Sequence, residues 1–194
     1  SMIEPDGRNT APAAAAAARY LAARDPDAMI LLVPSDHAVA DPVAFRAAVD
    51  QARAAAEDGQ IVTFGIAPSR AETGYGWLEA GPETHAGVHK LNRFIEKPDA
   101  DRAEALYGDP ANLWNAGVFL ARADVLIAAF RSHAPEILRT VEAALAGAEG
   151  DLGFTRIDAA LWSKVPEDSI DYAVMEKAQN VSVVRFGGQW SDLG

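Results

Sequence analysis

Two aspartates stand where apolar, strand-like runs give way to turns. Asp36 follows Met29-Ile30-Leu31-Leu32-Val33-Pro34-Ser35, and Asp192 comes shortly after Val181–Phe186 and Gly187-Gly188. Pro34 cannot donate to a sheet ladder, so the first run stops there and Ser35, Asp36 and His37 emerge at its carboxyl end. In open α/β sheets that edge is where ligands and metals bind. If both strands share one parallel sheet, the two carboxylates meet at its edge, and two carboxylates suit Mg²⁺ held against substrate phosphates. Two unrelated turn or cap residues would look the same.

Further residues invite the same double reading. Lys97, in Phe94-Ile95-Glu96-Lys97-Pro98, either grips a phosphate as a point charge or ends a solvated strand. Glu4 can accept both donors of a guanine edge, N1–H and N2–H₂, a pair that adenine lacks; it can equally be a surface carboxylate. Tyr75-Gly76, Asn115 and Gly117 combine close backbone approach with phenol and amide groups, as in a polar-ligand pocket. A β-bulge and a core glycine would also account for them. His37 adjoins Asp36 and suits a capping and packing role, while His85, His89 and His133 show no metal-ligand spacing. There is no Cys, which removes disulfides and thiolate ligands, and no Ser-His-Asp order stands out.

Composition narrows the classes. The 194 residues carry a formal net charge of −11, which argues against a nucleic-acid or anionic-membrane surface. A nucleotide is still admissible, because a helix N-terminus and a metal hold phosphates inside an acidic protein. With 49% hydrophobic and 23% charged residues the chain reads as soluble and globular, a single domain over residues 1–194. No apolar run approaches the roughly 20 residues that span a bilayer and no signal peptide opens the chain, so the expected location is the cytoplasm.

The elements that must position these residues follow from pattern and punctuation. An alanine-rich helix, its alanines reflecting helix propensity alone, runs from a cap at Asn9 or Thr10 to about residue 24. A second helix runs from Asp41-Pro42 to Gly59, with Phe45, Ala48, Val49, Ala52 and Ala56 on one face. Residues 29–33 read as a strand buried on both faces inside a parallel sheet, and Ile61–Ile66 reads likewise. Strand–helix–strand alternation predicts a largely parallel sheet. Residues 73–79 and 88–97 form a long hairpin or extended excursion. A helix fits 101–107, and 113–120 is a strand in which Gly117 marks a close backbone approach. Helices follow at 124–131 and Pro135–Ala146, then a loop at 147–153, helical stretches at 157–163 and 170–178, and a last strand at Val181–Phe186.

Several stretches, in order along nearly the whole chain, carry a family resemblance. They are Glu4-Pro5-Asp6-Gly7-Arg8-Asn9-Thr10-Ala11-Pro12, Val33-Pro34-Ser35-Asp36-His37, Thr73-Gly74-Tyr75-Gly76-Trp77 and Phe94-Ile95-Glu96-Lys97-Pro98. Leu113-Trp114-Asn115-Ala116-Gly117-Val118-Phe119, Ser169-Ile170-Asp171-Tyr172-Ala173-Val174-Met175-Glu176-Lys177 and Trp190-Ser191-Asp192-Leu193-Gly194 continue them. Together they resemble bacterial mannose-1-phosphate guanylyltransferases, including the guanylyltransferase domain of bifunctional guanylyltransferase/mannose-6-phosphate isomerases.

The resemblance implies an α/β, Rossmann-like nucleotidyltransferase fold with a mixed, mainly parallel sheet flanked by helices. It implies the conversion of GTP and mannose 1-phosphate to GDP-mannose and pyrophosphate with Mg²⁺, for polysaccharide precursor synthesis. Carried over residue by residue, Asp36 and Asp192 match metal-binding positions and Lys97 the lysine on the sugar phosphate. Glu96 matches a sugar-hydroxyl acceptor, and Tyr75, Gly76, Asn115 and Gly117 fall on the sugar pocket. Glu4, Gly7, Asn9 and Thr10 fall on the nucleotide-base loop.

One departure bears on activity. The family's Gly-Gly-x-Gly-x-Arg-Leu-Trp-Pro phosphate loop is absent here, and Ser1-Met2 reads as an expression scar or alternative start. The chain is therefore expected to be a fragment lacking the first strands and the C-terminal region, weakly active or inactive, with bare ladder edges that favour a homodimer, strand exchange or poor solubility. A non-catalytic nucleotide-sugar-binding module and a transferase for another hexose 1-phosphate or another base are the competing readings.

Overall fold

The computed structural model describes residues 1–25 and 27–192. Pro26, and Leu193-Gly194 at the end of the last motif, lie outside the described residues. In chain order the elements are β1 (Met2–Ile3), α1 (Thr10–Ala22), β2 (Met29–Leu32), β3 (His37–Val39), α2 (Pro42–Glu57) and β4 (Ile61–Ile66). Next come β5 (Trp77–His85), β6 (Val88–Ile95), α3 (Ala100–Tyr107), β7 (Asn112–Arg122), α4 (Ala123–His133) and α5 (Pro135–Ala146). The remainder is β8 (Glu149–Asp151), β9 (Phe154–Arg156), α6 (Ala159–Trp162), a π-helical turn at Asp171–Met175, β10 (Val181–Phe186) and β11 (Trp190–Asp192).

These elements sort into two compact units, each discontinuous in sequence. The first comprises Ser1–Ala28 and Ala123–Ala178. In it α1 packs against α4 and α5, while β1 pairs in parallel with β9, and β9 antiparallel with β8. The alanines of α1 do more than favour a helix. Ala11, Ala14, Ala15, Ala16 and Ala18 are buried, so the run is a packing face that lets neighbouring helices approach closely. Residues 147–153, expected as loop, include β8, and the expected helix at 170–178 is wound instead as a π-helical turn.

The second unit comprises Met29–Arg122 and Gln179–Gly194. Its six-stranded sheet runs β2-β7-β4-β10-β6-β5, with β5 also pairing with β7. Helix α2, capped by Asp41 through bonds from the N–H groups of Val43 and Ala44, lies against the sheet. Its Ala48, Ala52, Ala55 and Ala56 join Val62, Phe64, Val184 and Phe186 in the core. Burial of a residue such as Phe64 contributes about 1.5–3 kcal/mol.

The mixed α/β architecture is as expected, but the sheet is not mainly parallel. Among its described pairings β4–β10 is parallel, and β2–β7, β4–β7, β5–β6, β5–β7 and β6–β10 are antiparallel. A two-residue turn, Ala86-Gly87, joins β5 to β6, far too short for the crossover that parallel pairing requires. The apolar run at 29–33 is also not an interior parallel strand. Its β2 portion sits at the sheet edge, antiparallel to β7, with Leu31 36% and Val33 54% exposed. The interior positions belong to β7, β4, β10 and β6. Among the described residues no helix is long and apolar enough to cross a membrane.

Candidate functional site

The two aspartates do not share one parallel sheet; they flank a short ribbon. β3 and β11 form a separate antiparallel ribbon in which Asp192 is the register partner of His37. Asp36 immediately precedes β3 and Asp192 closes β11, so both residues fall at one end of the ribbon. Within the ribbon, the Trp190 indole N–H donates to His37 Nδ1 at 3.2 Å. An indole nitrogen can only donate, so His37 carries no proton on Nδ1. Its Nε2 is 3.9 Å from Asp192 Oδ1, beyond hydrogen-bond range. His37 also stacks edge-on against Trp190, with ring centroids 5.2 Å apart. The packing role expected of His37 is what the geometry displays. Beside the ribbon lies a mostly apolar cavity of about 230 Å³, lined in part by Pro34, His37, Phe64, Val118 and Trp190.

No cluster of three or more His, Cys, Asp or Glu suited to a metal occurs among the described residues. Asp36 and Asp192 carry carboxylates, which are hard oxygen donors. That donor set fits Mg²⁺, which fills its other positions with water and phosphate oxygens.

A second group of candidates gathers on β7 and the ends of β5 and β6. The Asn115 N–H donates to the Gly76 carbonyl at 2.7 Å, fastening the two candidate stretches to each other. Asn115 Oδ1 accepts from Thr63 Oγ1 at 2.9 Å and from the Gly117 N–H at 3.1 Å. Gly117 has φ +65°, and the β4–β7 register shifts between Thr63 and Gly65, so a β-bulge is present. The bulge and the pocket readings are therefore compatible. A side chain at 117 would begin 3.3 Å from Pro34 Cγ and 3.7 Å from His37 Cε1, which identifies what approaches this glycine.

Glu96 is seated against Gly76, and its side chain is only 10% exposed. Lys97 follows with φ +42°, a left-handed conformation before proline, and its Nζ stands 4.0 Å from Glu96 Oε1. Tyr75, Gly76, Glu96, Lys97, Asn115 and Gly117 are thus linked through direct contacts or sequence adjacency.

Sequence reasoning missed the supports of this wall. Tyr75 packs edge-on against Trp114 and Trp190, with centroids 5.4 and 5.6 Å apart. Glu72 accepts from the Gly74 N–H at 2.9 Å, and its backbone carbonyl accepts from the buried Trp77 indole at 2.8 Å. The Gly74 N–H and then Arg70 hold the Glu72 carboxyl below its usual range. An acid two positions before a glycine in a polar loop was the available signal.

The remaining candidates belong to the first unit. Asn9 has φ +65° and its Oδ1 accepts from the Thr10 N–H at 2.8 Å. Thr10 Oγ1 accepts from the Ile170 N–H at 2.9 Å, and the Ala11 N–H donates to the Asp168 carbonyl. The Trp162 indole donates to the Asp6 carbonyl at 2.7 Å. The 4–10 loop is therefore pinned by the segment leading into the π-helical turn and by α6. A side chain at Gly7 would meet nothing within 4 Å. Glu4 is exposed, yet desolvation raises its carboxyl above the usual range.

A protein-family model described as nucleotidyl transferase matches residues 1–194. The chain is 44% identical over 193 residues to the xanthan biosynthesis protein XanB of Xanthomonas campestris, covering 100% of this chain and 41% of that protein. It is 43% identical over 194 residues to a mannose-1-phosphate guanylyltransferase of Sinorhizobium fredii, covering 100% of this chain and 38% of the relative. The chain thus spans about two fifths of the length of these curated relatives. Among solved structures, a Helicobacter pylori mannose-6-phosphate isomerase superposes with TM-score 0.89 at 29% identity, over 98% of this chain and 73% of that one. A Thermus thermophilus protein described as a mannose-1-phosphate geranyltransferase superposes with TM-score 0.85 at 34% identity, over 98% and 54%.

Proposed function

Because the chain belongs to the nucleotidyl transferase family, we propose that it carries sugar- and metal-binding residues of a mannose-1-phosphate guanylyltransferase, which makes GDP-mannose and pyrophosphate from GTP and mannose 1-phosphate. The observation that carries this reading is identity of 43% along the whole chain to a relative bearing that name. The compact grouping of Gly76, Glu96, Lys97 and Asn115 supports it, since a pocket with an acceptor, an amide and a cation suits a sugar phosphate.

In this reading Asp36 and Asp192 hold Mg²⁺, which when bound offsets negative charge on the phosphates. Lys97 adds a mobile point charge at the sugar phosphate. Glu96 accepts from a sugar hydroxyl, and Tyr75, Asn115 and the backbone around Gly76 and Gly117 complete the sugar contacts. Glu4 accepts from the guanine N1–H and N2–H₂ edge, with Gly7, Asn9 and Thr10 shaping the same loop. A sugar phosphate is already a nucleophile, so the chain needs no general base; it has to hold the phosphate in line with the α-phosphorus.

Calorimetric titration of this chain with GDP-mannose and with UDP-glucose tests the proposal. Saturable GDP-mannose binding that exceeds UDP-glucose binding at least about tenfold is expected, a difference of about 1.4 kcal/mol. Equal binding of both, or of neither by folded protein, would overturn it.

A further inference from the structure

We infer that two copies of this chain associate through the first unit, each inserting the apolar tip of its β8–β9 hairpin into a cavity between α1 and α5 of the other. The tip is built against the preferences of its own turn. Leu152 and Gly153 form the two-residue connection from β8 to β9, with φ +48° and +86°. Two positive φ values in such a turn call for Asn-Gly or Asp-Gly, because a leucine Cβ crowds the neighbouring carbonyl there. Leu152 is also 93% exposed, more than any other large apolar side chain among the described residues, and Phe154 beside it is 44% exposed. An asparagine would relieve both the strain and the exposure, so the leucine works against the isolated fold and for a contact outside it.

The receiving cavity is on the same unit. It measures about 380 Å³ and is lined in part by Tyr20, Ala23, Arg24 and Leu145, with Ala148 and Thr155 from the hairpin's flank. Knob and hole therefore lie side by side on one chain, as a two-fold contact needs if each copy is to give the other what it receives. Charge is matched too. Arg19 at the cavity is engaged by Glu142 at 3.0 Å, while Arg24 stacks over the Tyr20 ring at 3.5 Å and donates to the Tyr20 carbonyl at 2.8 Å. A held and exposed guanidinium thus stands at the cavity. On the hairpin Asp151 is engaged by Arg156 at 2.7 Å, which leaves exposed Glu149 to meet the partner subunit's Arg24. A net charge of −11 on each copy opposes the approach at long range, so the pairing is weak and depends on concentration.

Sedimentation equilibrium of the parent from roughly 10 μM to roughly 1 mM should show a reversible dimer. Leu152→Asn should weaken it at least about tenfold, while the urea midpoint of dilute protein is no lower than the parent's, so the loss is not one of folding. Ala23→Trp, at an exposed position after α1, blocks the cavity instead and should weaken the dimer likewise. Arg24→Glu should cost about 3–10-fold, and Arg24→Glu/Glu149→Arg should recover most of that. Leu31→Lys, on the edge strand β2 of the second unit, should leave the dimer unchanged. A parent that stays monomeric throughout the range would overturn the inference. So would a dimer that survives both Leu152→Asn and Ala23→Trp, or one that Leu31→Lys alone abolishes, which would assign the pairing to the sheet edge.

Discussion

Glu96 occupies the space that a side chain on residue 76 would need: its Oε2 lies 2.5 Å from where a Cβ at that position would stand. Asn115 Cβ and Phe94 Cε1 are each 3.3 Å from the same point, so retreat in those directions is restricted too. Gly76→Ala is therefore expected to displace the Glu96 carboxylate and weaken GDP-mannose binding at least about tenfold, while stability falls by about 1–3 kcal/mol from overpacking. Calorimetry and urea unfolding on one sample separate the two effects. Undiminished binding would mean that Glu96 is not part of the sugar contact.

Thr63 is fully buried and its hydroxyl faces both Asn115 Oδ1, at 2.9 Å, and the Val118 carbonyl, at 3.3 Å. One hydroxyl proton serves one of them at a time. Thr63→Val keeps the shape and removes the donor, and should cost about 1–2 kcal/mol. It should also loosen the bulge, seen as faster exchange of the Gly117 amide. Retained stability with an unchanged Gly117 amide would count against this hydroxyl as the bulge's fastening.

Acid sensitivity should be divided between two glutamates with opposite signs. The folded-state carboxyl of Glu72 lies below its ordinary 4.5, so its contribution is full above that value and disappears as pH falls through the lower folded value. Glu4 lies above its ordinary 4.5, so its ionised form costs stability that is recovered on acidification. Urea midpoints followed from roughly pH 6 to roughly pH 3 should fall less in Glu72→Gln than in the parent, and more in Glu4→Gln. The reverse ordering would contradict both assignments.

Asp36 and Asp192 are expected to act together on a divalent ion. Mn²⁺ titration monitored by the spectrum of the free ion should show Asp36→Asn and Asp192→Asn each weakening binding at least about tenfold in the presence of GDP-mannose. Loss in one variant alone would reduce the pair to a single ligand.

Lys97, proposed to contact the sugar phosphate, has a left-handed backbone, φ +42°. Lys97→Gly should be more stable than Lys97→Ala by about 1 kcal/mol, the reverse of the usual order, and both should lose affinity for mannose 1-phosphate. Strain of this kind persists where neighbouring structure holds it in place, here Pro98 behind and the seated Glu96 in front.

Much of this was legible in the chain itself. Asn9 and Asp41 announced their helices, Pro34 ended its strand, and the Tyr75-Gly76 and Asn115-Gly117 pairs marked a place of close backbone approach. Strand direction was not legible, because periodicity carries no arrow: Ile61–Ile66 and Val181–Phe186 read like any buried strands, yet they make the sheet's parallel pair. The edge position of Met29–Leu32 was hidden for a related reason, since an apolar run does not say which partner strands lie beside it. Glu72 escaped notice because a charge in a loop has no pattern until the Gly74 amide and Arg70 are seen to bond it. The placing of Asp36 and Asp192 at one end of a ribbon needed a register, and register is a tertiary fact.

The order of strands in the larger sheet has a consequence for synthesis on the ribosome. β10, residues 181–186, lies between β4 and β6, both of which are made long before it. At about 5–20 residues per second, β4 and β6 wait roughly 5–20 s for the strand that joins them. During that interval their facing edges are open, and the β3–β11 ribbon that ends at Asp192 cannot yet exist. A nascent chain of this topology should be a client for holding chaperones until its last strands emerge, and slowing elongation should lengthen that dependence rather than relieve it.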